Sequence, residues 1–491
     1  MHYQLAVSIH RSSLVGGALA TLALVAAACD STAMLAVVPD APVAGDAPPA
    51  GGPDAGPPLA EARFPGVTAV KAVPAGEGWL VLVETLQTQL LVTIPARQIV
   101  LLDDRLETVK TYDPIEGWTL IDAVAHPSGD VSAVYLRVDY ADPFPLRIQL
   151  SRYRPDGSRV DTEVAPVAPP AGADPGSTFM ASYDRARLVA SGEDLYLAAR
   201  WAGNAVYAYH FGFGAQGFGK VWATRVEPEA EALVLGIIGG GFDNFHQGDN
   251  AIFVYVDVDA AGNAYVAVPS GESVLQQHDI AFGENLMAGA DPDHFDFGTA
   301  VLTKIDADGR RVYAKLVGVP GRLDGVPGRG KSLLNMRAGN DSVLLVGRVR
   351  TGTDPDSWDG WILSAQTATG TVDFDRAVDV EHGDMFWDAV AVPGERILAV
   401  GSTNYTQNPS GLSVSDERDA LAVVLDSQGR VVERLALPHG AAGRGNEALA
   451  VRVDDRGILA ISGMLDGPGT HAEVRSNGFL DLEALPDAPA P

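Results

Sequence analysis

A single cysteine, Cys29, stands in a chain of 491 residues. One thiol cannot form an intramolecular disulfide, so the folded part must be held by its core alone. Basic residues are scarce too: 35 Lys and Arg face 63 Asp and Glu, a formal charge of −28. Such a balance disfavours nucleic acid and anionic headgroups and leaves cationic ligands, bound metal ions or plain solubility. Apolar patterns of helical period are nearly absent, which excludes most α/β enzyme folds. Neither G-x-S-x-G nor H-E-x-x-H occurs, and the ten histidines are scattered without metal-ligand spacing.

The apolar run from Leu14 to Ala28 is too short to span a bilayer comfortably, and with Arg11 ahead of it fits a secretory h-region. Ala26-Ala27-Ala28 places small residues directly before Cys29. This resembles the lipobox of bacterial lipoprotein signal peptides. The resemblance implies removal of residues 1–28, lipid on Cys29, and an exported protein anchored to a bacterial membrane on its periplasmic or cell-surface side. Cleavage after Ala28 without lipid is the alternative. Losing a leader with one arginine and no acid leaves a charge of −29. Residues 29–62 are rich in Ala, Pro, Gly and Asp with no aromatic residue to pack, and are expected to form a disordered tether. The folded region is expected over 63–486, with a short tail at 487–491.

Seven apolar strand-like runs then recur: GWLVLVE from Gly78, VSAVYLRVD from Val131, DLYLAARW from Asp194, NAYVAVPS from Asn263, SVLLVGRV from Ser342, RILAVGST from Arg396 and GILAISGM from Gly457. Most follow another apolar strand and a tight turn such as HPSGD at 126–130 or DAAGN at 259–263, which are hairpin signals. A second hairpin follows in most units, as in DALAVVLDSQGRVVERLAL from Asp419. Four strands per unit and seven units give an all-β, seven-bladed β-propeller, with six or eight blades as alternatives. The last four units resemble bacterial β-propeller repeat proteins whose units read roughly D-A-x-V-x-x-L-D-x-x-G. That likeness implies fold and envelope location without an activity. The segment from His471 is too short for two strands and a loop, so a strand from each terminus could close the ring.

Two nucleotide motifs are imitated. GVPGRGKS, 325–332, spells the phosphate-binding loop, but its chemistry needs a helix after Lys331, and SLLNMR followed by the turn AGND is too short for one. Lys331 is therefore expected as a surface charge in a loop between blades. GFGAQG, 212–217, lies between two strands and is expected to be a hairpin loop, so neither nucleotide nor nucleic acid is expected as a partner.

In a propeller the B-to-C and D-to-A connections share one end, and here they hold the length and the chemistry. Blades four, five and six carry acids before their third strands: Asp291, Asp293 and Asp296 with His294 and Phe295; Asp354, Asp356 and Asp359 with Trp358; and Tyr405, Asp416 and Asp419. Alternate carboxylates suit Ca²⁺, with Asp354, Asp356 and Asp359 the candidate ligands and turn capping the alternative. Phe295, Trp358 and Tyr405 could stack on sugar rings or receive a cation, or pack the loops together. His246, in the glycine-rich segment 235–250, is the one nearby proton-transfer group. These residues point to a binding module for a protein or glycan of the cell envelope. The alternatives are a glycan-cleaving hydrolase or lyase using the same aspartates, and an envelope scaffold with no small ligand.

Overall fold

The computed structural model describes residues 60–89, 92–138, 146–166, 186–201, 205–214, 217–227, 254–269, 279, 281–286, 288, 300–318, 329–351, 358–381, 383–404, 418–435, 437, 445–454, 456–465 and 477–484. They form seven four-stranded antiparallel sheets, a seven-bladed β-propeller. Blade 1 comprises strands A to D at Thr68–Ala75, Gly78–Gln89, Val92–Leu102 and Thr108–Tyr112. Blade 2 follows at Thr119–Ala125, Val131–Val138, Leu146–Tyr153 and Arg159–Val164, and blade 3 at Ala186–Ser191, Asp194–Arg200, Val206–Gly214 and Gly217–Glu227. Blade 4 is Tyr255–Val258, Ala264–Pro269, Ala300–Ile305 and Arg311–Val317; blade 5 is Arg329–Ala338, Ser342–Arg350, Trp358–Gln366 and Val372–Val378. Blade 6 is Met385–Val392, Arg396–Thr403, Asp419–Leu425 and Val431–Arg434.

Blade 7 draws on both ends of the chain. Its strands A to C are Glu447–Val453, Ile458–Leu465 and Asn477–Ala484, and its outermost strand is the N-terminal Ala60–Pro65, in register from Ala60 opposite Leu482 to Pro65 opposite Asn477. Ala60, Glu61 and Ala62 therefore belong to the sheet, three residues earlier than the boundary expected at Arg63. Ala62 and Phe64 alternate inward onto Leu480 and Leu482, and that burial holds the clasp.

Each of the seven junctions between neighbouring blades has its own apolar cluster. Leu80, Leu82, Ala133 and Tyr135 join blades 1 and 2, for example, and Ala72, Trp79, Val81 and Leu480 join blades 7 and 1. Isolated blades would leave both faces wet; radial repetition buries them. The repeat consensus has a local cause as well. In the C-to-D turn of blade 6, Asp426 Oδ1 accepts the amides of Gln428 and Arg430, while Gly429 takes φ 74°, a left-handed value that glycine adopts without strain. Of GFGAQG, Gly212, Phe213 and Gly214 end strand C of blade 3 and Gly217 opens strand D, with Gly214 opposite Gly217 in an antiparallel pair.

Candidate functional site in the central channel

The A strands are innermost and enclose a cavity of about 350 Å³. Each blade places one charged residue of its A strand there or directly against it: Lys71, Asp122, Arg187, Asp257, Arg337, Asp388 and Arg452, in blade order. All but Asp388 line the cavity, and Asp388 is wholly buried against Arg337 and Arg452. The signs alternate from blade 1 to blade 7.

The three aspartates stitch the ring together. Asp122 Oδ1 accepts from Lys71 Nζ at 2.7 Å and from the amide of Ala123 at 2.8 Å, while Oδ2 accepts the Leu188 amide of blade 3 at 3.0 Å. Asp257 accepts the Val258 amide at 2.9 Å and the Ala338 amide of blade 5 at 3.0 Å. Asp388 accepts the Ala389 amide at 3.0 Å and the Val451 amide of blade 7 at 3.2 Å, and from Arg337 Nη2 and Arg452 Nη1 at 2.8 and 2.6 Å. The acids of blades 2, 4 and 6 thus each clamp an inner strand to that of the following blade. Arg97, on the C strand of blade 1, joins the lining; its Nε donates to Glu84 at 2.8 Å and it also donates to the Ile121 carbonyl.

Bulges help to place three of these side chains. The A strands of blades 1, 2, 5, 6 and 7 slip register just before Lys71, Asp122, Asn335, Asp388 and Ala450, and in four of these five blades the residue after the slip is polar. In blade 6 the residue facing the slip is Gly401. A Cβ there would stand 1.8 Å from the Met385 carbonyl oxygen, so only glycine lets the two strands approach. A Cβ at Gly347 in blade 5 would stand equally close to the Ser332 carbonyl oxygen.

Electrostatics follow from burial against pairing. Burial pushes the Asp122 and Asp388 carboxyls up, but the cations and amides around them outweigh it and hold both below the usual carboxylate range. Lys71 goes the other way. Burial, aided by Arg452 and Arg337, outweighs the attraction of Asp122 and lowers its ammonium to about 8.

The residues singled out in the sequence fare unevenly. Asp291, Asp293, His294, Phe295, Asp296, Asp354, Asp356, Tyr405 and Asp416 lie outside the described residues, as do Cys29 and His246. Trp358 opens strand C of blade 5 and is buried, with the Arg348 guanidinium 4.3 Å from its ring centroid, so its face is taken by the protein's own cation. Asp359 accepts from the Thr351 hydroxyl at 2.7 Å, and Asp419 opens strand C of blade 6 opposite Thr403. Among the described residues no group of three His, Cys, Asp or Glu is placed to hold a metal ion. The Asp384 amide donates to the Trp358 carbonyl at 2.7 Å and the Asn446 amide to the Arg418 carbonyl at 2.7 Å, which ties D-to-A connections to the entries of strands C at one end of the ring.

Lys331 corrects the sequence reading. It is not a surface charge in a loop: it lies in strand A of blade 5, fully buried, with Nζ 2.8 Å from Asp375 Oδ2 and over the Trp361 ring. Trp361 Nε1 donates to the other oxygen of Asp375 at 2.7 Å. A strand in place of a helix still removes the phosphate-binding reading.

The charged ring lies on the inner strands, whereas the acids that stand out in the sequence lie in the loops. One signal was available: the tetrapeptide D-A-V-A occurs at 122–125 and again at 388–391, each time putting an acid inside an apolar inner strand.

No protein-family model matches the chain, and no curated protein matches it. Among solved structures, the β-propeller domain of the Trilobed protease from Pyrococcus furiosus is 11% identical, with TM-score 0.42, over 86% of this chain and 96% of that one. A protein of unknown function from Bacteroides caccae is 14% identical, with TM-score 0.31, over 69% and 89%. An α-L-arabinofuranosidase from Clostridium thermocellum is 11% identical, with TM-score 0.28, over 65% and 94%.

Proposed function

We propose that the chain is an exported binding module, tethered through Cys29, that holds an envelope-derived ligand at the mouth of its central channel without transforming it. The observation that carries this reading is the state of two of the three ring acids. Asp122 and Asp388 are each engaged by cations and two backbone amides, so they serve as fixed acceptors. A glycosidase needs one carboxyl kept protonated and within reach of substrate. Both of these are held ionised, which favours binding over acid catalysis.

The test is incubation of oligosaccharides, muropeptides and short peptides with a soluble form beginning near residue 50, which preserves the clasp at Ala60–Pro65. Retention is read by native mass spectrometry. At least one compound should be retained with its mass unchanged and released by the Arg337→Met/Arg452→Met variant. Recovery of cleaved products would favour the hydrolase reading, and retention unaffected by the variant would place binding elsewhere.

A further inference from the structure

Seven positions cannot alternate in sign all the way round. The order from Lys71 in blade 1 to Arg452 in blade 7 is cation, acid, cation, acid, cation, acid, cation, so the two ends of the series are both positive where blade 7 meets blade 1. Four cations share three acids. Asp122 serves Lys71 and also feels Arg187; Asp388 serves both Arg337 and Arg452; Asp257 acts on Arg452. The Arg97 and Glu84 pair adds no net charge. The cavity wall is thus positive at one seam inside a chain whose formal charge is −28.

Donor capacity is also in excess along the cavity wall. The Lys71 ammonium carries three N–H groups and, among the described residues, donates to Asp122, toward blade 2. The buried Nε of Arg337 has no hydrogen-bond partner among the described residues. Leaving a buried guanidinium N–H unpaired is unfavourable, and an incoming acceptor removes that cost.

We infer that the channel binds an oxyanion, a carboxylate or phosphate group of a small ligand, held by Lys71 and Arg452 at the seam between blades 7 and 1 and by Arg337, which reaches from blade 5 to share Asp388 with Arg452. This rests on the binding reading above and names the chemical class of its ligand. The net acidity of the chain leaves cationic ligands, metal ions or plain solubility open; the local charge of the cavity points to an anion. Low dielectric inside the channel makes the local excess count for more than charges across the surface, which salt screens.

The groups facing Lys71 are Asp122, Arg452 and Arg337, and an anion added beside them draws a proton onto Lys71. Isothermal titration calorimetry at pH 8 with succinate and with inorganic phosphate, in buffers of different ionisation enthalpy, reads both affinity and proton transfer. Binding of either anion should take up as much as about half a proton, because a group with its midpoint near 8 is half charged at that pH. Lys71→Met should weaken binding about tenfold or more and abolish the uptake. Exposed Arg430→Met should change neither. The two arms separate carboxylate from phosphate. Neither anion binding, or binding without uptake and untouched by Lys71→Met, overturns the inference. If a neutral compound from the retention experiment still binds the channel, the binding reading survives that loss; if nothing is retained there, both fall. The uptake measurement uses the unaltered protein, so it decides the matter even if an arginine variant fails to fold.

Discussion

Replacing Asp388 by alanine is expected to lower stability by about 3–5 kcal/mol, the range for removing one partner of a buried ion pair. The cause is the number of groups that one carboxylate serves. It neutralises Arg337 and Arg452 and accepts the amides of Ala389 and Val451, the second from the next blade. Alanine leaves two guanidinium groups crowded beside each other and two buried N–H groups without acceptors. Asp388→Asn should cost less, since an amide oxygen still accepts from the backbone. Chemical denaturation checks the order. A loss below about 1 kcal/mol for Asp388→Ala would mean that the inner ring is solvated and contributes little. In a double-mutant cycle, Asp388→Ala with Arg452→Met should fall short of the sum of the single losses by about 1–3 kcal/mol.

The second large effect concerns pH. Asp384, on the connection from blade 5 to blade 6, is fully buried; its Oδ2 accepts the amides of Val380 and Glu381 at 2.6 and 2.9 Å, while Oδ1 is buried without a partner among the described residues. Burial raises its carboxyl to about 7, with Asp359 and Asp379 pushing the same way. The unfolded chain releases this proton near 3.8. Between those two values the native state holds a proton that the unfolded state has lost, so the contribution is fully present at low pH and disappears as pH rises through about 7. Roughly 3 units at 1.4 kcal/mol each correspond to about 4 kcal/mol. Asp384→Asn cannot ionise and keeps an acceptor for the two amides. Its stability relative to the unaltered protein should therefore improve by about 4 kcal/mol between pH 4 and pH 8, read from denaturation midpoints across that range. A difference independent of pH would contradict the burial of this group.

The fold was legible because each blade announces itself locally. Apolar B strands such as RILAVGST repeat in every blade, and turns with an acid to bind amides and a glycine at positive φ recur at 259–262, 306–309 and 426–429. The clasp was legible too, since the segment from His471 holds one strand where two were needed. The site was not. Lys71 and Arg452 are 381 positions apart in sequence yet belong to neighbouring blades, and nothing in a linear chain displays a radial contact.

Lys331 shows a related failure. Its alternation with Leu333, both buried, already placed it on the inner face of a strand, but its partner Asp375 lies 44 residues away on another strand of the blade. Without that partner in view, a lysine beside a glycine-rich stretch reads as solvated. Trp358 was noticed for its loop position and proved to be covered by Arg348 from the B strand of its own blade.

The titration of the Lys71 side chain tests the charged ring most directly. Its ζ-nitrogen signal, observed by NMR and assigned by its loss in Lys71→Met, should show a midpoint near 8 in the free protein and move upward in Arg452→Met, which removes one of the like charges facing it. A midpoint near 10.5, unmoved by that substitution, would mean that Lys71 stands in water away from its neighbours and that no ring of alternating charge surrounds the channel.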